Sequence, residues 1–196
     1  MYTIGNNIKN EIIINKSKFI CVYKKVYNEE NALKYIANIK NEHKDATHYC
    51  YSYIIDNTKR FNDDGEPGGT AGMPILNVLE NNDLNYILCI VIRYFGGIKL
   101  GAGGLVRAYS KSASECLKNA TIKEIVSGKN IEIVFSYDKV KLIDNALKDI
   151  EIKSKVFDQN ITYLFDINND KLNKIKEILN SNVIEFNISK DIFIEE

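Results

Sequence analysis

A chain of 196 residues, 45% hydrophobic and 27% charged, has the composition of a folded protein and the length of one large or two small domains, which excludes disorder of the chain as a whole. Lys and Arg number 26 against 26 Asp and Glu, so the formal net charge is zero and the surface as a whole does not favour a polyanion. No apolar run approaches the roughly 18 to 20 residues of a membrane span, and the first ten residues lack a basic start followed by an apolar stretch, so a cytoplasmic location is expected.

The charge is divided unevenly: residues 1–128 hold 16 Lys and Arg against 13 acids, and residues 129–196 hold 10 against 13. That mild basic excess is smaller than dedicated nucleic-acid-binding domains carry. Cys21, Cys50, Cys89 and Cys116 fall singly in apolar or amphipathic segments with no C-x-x-C pair, the pattern of reduced thiols in a core. With only His43 and His48 to join them, a zinc site is not expected.

In chain order, residues 18–26 alternate as a strand, and Asn28 then stands as the N-cap of a helix running to about residue 42. Residues 47–56 form a second strand, with His48, Cys50, Ser52 and Ile54 on one face and Tyr49, Tyr51, Tyr53 and Ile55 on the other. That tyrosine row is suited either to stacking on bases or to lying beneath a helix. Residues 62–72 are a polar glycine-rich loop, Pro74 opens a short helix, and residues 87–93 are a fully buried strand. A glycine-rich turn leads from it into a helix of about 105–119, with Leu105, Ala108, Ser112 and Cys116 on one stripe. Ser127 and Gly128 read as a hinge, which places a first domain over 1–126 and a second over 130–196. The second follows the order strand 131–137, helix 138–149, strands 151–157 and 160–167, helix 170–180 and strand 183–188. This β-α-β-β-α-β series is most economically a ferredoxin-like fold, so the chain is expected to be α+β.

Two constellations could carry chemistry. In residues 61–74, Asp63, Asp64 and Glu66 crowd three carboxylates into a loop that could hold Mg²⁺ or work as an acid and base; the other reading is a turn whose carboxylates bond its own backbone N–H groups. No cofactor is required by the sequence, Mg²⁺ being the one this loop would suit. In residues 93–109, Arg93, Gly97, Lys99, Gly101, Gly103, Gly104 and Arg107 combine a helix start with cations, and Lys111 follows one turn later. Unpaired N–H donors and the positive end of the helix dipole suit a phosphate there. It is neither a P-loop nor a dinucleotide fingerprint, and the alternative is that the glycines serve close packing while the arginines are solvated or paired. No nucleophilic triad is visible; His48, Asp64 and Glu66 are the candidates if the protein is an enzyme, His48 otherwise bonding the acidic loop.

ATHYCYSY (46–53), DDGEPGGTAGMP (63–74) and IRYFGGIKLGAGGLVRAYS (92–110) resemble the signature blocks of the YigZ/Impact family. The resemblance covers about residues 15–120 and departs at position 68, Gly where Ser or Ala is expected. It implies a first domain like the second domain of ribosomal protein S-five and domain IV of elongation factor G. The ferredoxin-like domain would then resemble that factor's domain V. It also implies an association with translational control, in eukaryotic relatives through a regulator of the amino-acid-starvation kinase. The function expected is therefore a non-catalytic module in translation or stress regulation that contacts RNA phosphates or a ribosome-associated protein. The alternatives are a metal-assisted hydrolase or transferase of a phosphorylated metabolite, and an adaptor using the open face of the ferredoxin-like sheet.

Overall fold

The computed structural model describes residues 1–182 and 184–195. The chain divides into two compact units, Met1–Lys123 and Glu124–Glu196. The first contains β1 (Tyr2–Ile4), β2 (Ile8–Ile14), β3 (Ser17–Lys25), α1 (Glu29–Glu42), β4 (His48–Ile55), β5 (Thr58–Asn62), α2 (Gly72–Asn81), β6 (Ile87–Tyr94) and α3 (Gly101–Leu117). Its five-stranded sheet has the order β2-β3-β6-β4-β5 and is antiparallel throughout.

Helices cover both faces of this sheet. One face packs Phe19, Cys21, Cys50 and Val91 against Ile75 and Leu79 of α2 and Leu105, Tyr109 and Cys116 of α3. The other packs Val22, Tyr53, Ile90 and Ile92 against Ala32, Ile36 and Ile39 of α1. β6 is buried on both sides, which explains the unbroken apolar run of residues 87–92. The tyrosine row of β4 belongs to the α1 face: Tyr53 is in the core, and Tyr49 and Tyr51 pack against it. It is covered sheet and offers no open platform for bases. All four cysteines are free and buried.

Sequence reading missed β1, β2 and β5. β2 and β3 are joined by Asn15 and Lys16, both with positive φ (44° and 63°), the backbone of a type I′ hairpin formed without the glycine that usually signals it. α2 starts at Gly72, two residues before Pro74, and α3 at Gly101, four before Leu105. α1 begins as expected, Asn28 accepting from the Asn31 N–H at 2.8 Å.

The second unit takes in most of β7 (Ile122–Phe135), a 3₁₀ turn (Tyr137–Lys139), α4 (Val140–Ala146), β8 (Ile152–Phe157), β9 (Ile161–Asn168), α5 (Asn169–Ser181) and β10 (Glu185–Glu195). The antiparallel order β10-β7-β9-β8 is that of a ferredoxin-like sheet. β9 alternates buried and half-buried residues because α4 and α5 cover one face only. The expected hinge at Ser127 and Gly128 is instead continuous strand. A Cβ on Gly128 would stand 2.3 Å from Ile194 Cδ1 and 2.6 Å from the Ile167 carbonyl, so this glycine serves close packing. The expected helix 138–149 is shortened to a 3₁₀ turn and two turns of α-helix, and the last strand runs to Glu195. Val183, expected to open that strand, lies outside the described residues.

Candidate functional site

His48 and Arg93 are direct cross-strand partners at the ends of β4 and β6, which sets them side by side. The acidic loop turns Glu66 inward over them. Arg93 Nη1 donates to Glu66 Oε1 at 2.6 Å, the Tyr109 hydroxyl donates to the same oxygen at 2.7 Å, and His48 Nε2 stands 3.9 Å from Oε2. Arg93 Nη2 reaches Ser17 Oγ at 3.4 Å, and the guanidinium carbon lies 5.4 Å from the ring centres of both Phe19 and Phe95. Arg93, 4% exposed, is thus the counter-ion of a buried carboxylate, the paired alternative to its reading as a phosphate ligand. A buried charge is tolerable only when paired. Burial drives the Tyr109 phenol far above its usual range and the Cys50 thiol up to about 12, so both remain neutral around the ion pair.

Asp63 and Asp64 do other work. Asp63 Oδ1 accepts from the N–H groups of Ala71 (2.9 Å) and Gly72 (2.8 Å), and Oδ2 from Gly69 (2.9 Å), so this carboxylate caps α2 from outside the helix. Asp64 divides its oxygens between Lys40 Nζ and the Tyr49 N–H, both at 2.8 Å. The three carboxylates therefore point to three different places, and among the described residues no group of three His, Cys, Asp or Glu is arranged for a metal ion. The carbonyl of Asp64 lies 2.9 Å from His48 Nδ1. A carbonyl can only accept, so a neutral His48 carries its proton on Nδ1 and presents the Nε2 lone pair toward Glu66.

The glycine-rich segment follows. A Cβ on Gly96 would fall 2.0 Å from the Lys16 carbonyl atoms, so only glycine lets the chain pass the β2–β3 turn, and its N–H donates to Ser17 Oγ at 3.2 Å. Gly97 and Gly101 take positive φ, 84° and 70°. α3 then opens with Leu100 at the cap position, no capping side chain and no acid in its first turn. Gly101, Ala102 and Gly103 are exposed, as are Lys99, Arg107 and Lys111. Gly104 is half-buried, its Cβ position 3.1 Å from Leu100 Cβ. Among the described residues neither Lys99 nor Arg107 has a hydrogen-bond or ion-pair partner.

These parts border one cleft of about 380 Å³: His48, Glu66 and Arg93 on one side, Lys99, Gly101 and Ala102 on another, with Thr47, Pro67, Phe95, Leu100 and Leu105 completing the wall. A larger cavity of about 500 Å³, between the end of α2 and the end of α3, contains Lys118 but no acid or imidazole. Of the residues singled out from sequence, the cleft gathers His48, Glu66, Arg93, Lys99 and Gly101. It leaves Asp63 and Asp64 to the loop, and Arg107 lies over Gly103, where a Cβ would be 3.6 Å from its Nη1. Tyr109 and Ser17 were missed, although Tyr109 follows Leu105 by four residues and so shares the buried stripe of α3.

A family model described as the Impact N-terminal domain matches residues 15–117, which takes in every residue of the cleft. The chain is 38% identical over 181 residues to the IMPACT family member YvyE of Bacillus subtilis, covering 90% of this chain and 83% of that protein. It is 45% identical over 136 residues to an IMPACT family member of Thermus thermophilus, covering 69% and 74%. A crystal structure of a hypothetical protein aligns with a TM-score of 0.68 at 25% identity, covering 96% of this chain and 97% of that one. Among the described residues no helix is long and apolar enough to cross a membrane. By the extent of the domain match and by these relatives, the chain belongs to the IMPACT family.

Proposed function

We propose that this protein is a non-catalytic, translation-associated regulator that contacts RNA phosphates at the start of α3. The observation that carries the reading is the uncapped, acid-free first turn of α3, exposed beside two cations that have no partner among the described residues. Such a turn offers N–H donors together with the positive end of the helix dipole, and Lys99 and Arg107 add charge without base preference. The link to translation follows the family resemblance. Filter binding to structured RNA across a salt series tests the reading. The Kd should rise steeply with salt, and Arg107→Ala should lower the slope by about one while weakening all sequences alike. A salt-insensitive Kd, or no binding at low salt, overturns it.

A second reading, an acid–base enzyme acting on a phosphorylated metabolite, is favoured by His48, whose Nδ1 is held by a carbonyl while the ring borders the cleft. Mg²⁺ with a nucleotide would then raise the Tm, and His48→Ala would lessen that rise. Equal melting with and without these additions removes this reading.

A further inference from the structure

The cleft has an apolar side that a phosphate alone would not use. Phe95 is 46% exposed and borders the same space as Pro67, Leu100 and Leu105. Its position is fixed: the Phe95 N–H donates to Thr47 Oγ1 at 3.0 Å, and the Arg93 guanidinium stands 5.4 Å from the ring centre. An exposed aromatic ring backed by a cation is a ready stacking partner for a planar base. Arg93 supplies an observation independent of the helix start. It borders the cleft, it is 4% exposed, and its Nε–H has no acceptor among the described residues. An unfilled buried donor beside a cavity marks hydrogen-bonding capacity that the protein itself leaves unused.

We infer that the cleft accommodates one nucleotide, its phosphate on the amides of Gly101, Ala102 and Gly103 beside Lys99 and its base against Phe95 between Pro67 and Leu105. A volume of about 380 Å³ lies within the usual range of small-molecule sites, and phosphate seat and aromatic ring are only six residues apart in the chain. The inference rests on the phosphate seat of the preceding section and adds the base. The nucleotide could come from the free pool or from single-stranded RNA whose bases are splayed, the form in which bases become available for stacking on side chains.

Titration of the ¹⁵N-labelled full chain with 5′-AMP, adenosine and inorganic phosphate tests this. AMP should shift the amides of Gly101, Ala102, Gly103 and Phe95, and bind about tenfold tighter than either fragment. Phe95→Ala should weaken AMP by about tenfold and leave phosphate unchanged, its spectrum reporting directly that the fold is kept. Equal affinity for AMP and phosphate, shifts outside the cleft, or equal weakening of both by Phe95→Ala overturns the inference. Competition by a single-stranded oligonucleotide of about six residues places the nucleotide in RNA, whereas binding of AMP alone upholds the base pocket and defeats the RNA reading. Salt-dependent RNA binding that Phe95→Ala does not alter defeats the base pocket and leaves the phosphate reading standing.

Discussion

Two arginines flank the start of α3, and the fold treats them in opposite ways. Arg93 sits 4% exposed at the end of β6, committed to Glu66, whereas Arg107 lies on the outer face of α3 with no partner among the described residues. A guanidinium below the surface is part of the scaffold, because removing it strands a carboxylate. One at the surface costs the fold little and remains available to a ligand. The same positive charge therefore builds the wall of the cleft at one position and lies exposed on α3 at the other.

The comparison breaks most readily at the buried arginine. Arg93→Ala should lower stability by about 3–5 kcal/mol, read from urea unfolding, since the buried Glu66 carboxylate loses its counter-ion and keeps only the Tyr109 hydroxyl. A loss below about 1 kcal/mol would mean that the pair is solvated and that the contrast between the two arginines is false. Asp63→Ala comes next. Three backbone N–H groups lose their acceptor, at about 1.5–3 kcal/mol, and unfolding midpoints of the variant report it.

Alkaline pH sharpens the picture of a neutral lining around the ion pair. Burial raises the Cys50 thiol from its ordinary 9.0 to about 12 and raises the Tyr109 phenol as well, so the folded chain holds protons that the unfolded chain releases first. Stability should be complete below pH 9 and fall as pH rises from there toward 12. The slope should approach about 1.4 kcal/mol per pH unit for each such group, measured by urea unfolding under reductant. The smallest effect belongs to the exposed arginine: Arg107→Ala should change stability by less than about 0.5 kcal/mol while lowering the salt slope of RNA binding. A large stability loss there would place Arg107 in the scaffold too.

Much of the scaffold was legible in the sequence because it depends on local pattern. The alternation of residues 47–56, the apolar run of 87–92 and the Asn28 cap each express a periodicity or a cap that needs only neighbours along the chain. The hairpin at Asn15 and Lys16 was not legible, since left-handed backbone at two non-glycine residues is stabilised by the strands it joins. Gly128 was misread for a related reason: glycine at a bend and glycine under a packed Ile194 look alike until the partner strand is known. The site divides in the same way. The basic glycine-rich turn was visible as a composition. The pairing of Glu66 with Arg93 joins residues 27 apart through sheet closure, and nothing local distinguishes that arginine from Arg107.

His48, Glu66, Arg93 and Leu105 reach the cleft from β4, a loop, β6 and α3, so the cavity exists only once these non-local pairings have closed. An unfolded chain has no such receptacle. Whatever molecule enters it therefore reports on folding, and by mass action a ligand at a hundred times its Kd would add about 2.7 kcal/mol to the native state. Occupancy and survival of the protein thereby become linked quantities, and a shortage of the ligand would be felt first as a shorter lifetime of the chain.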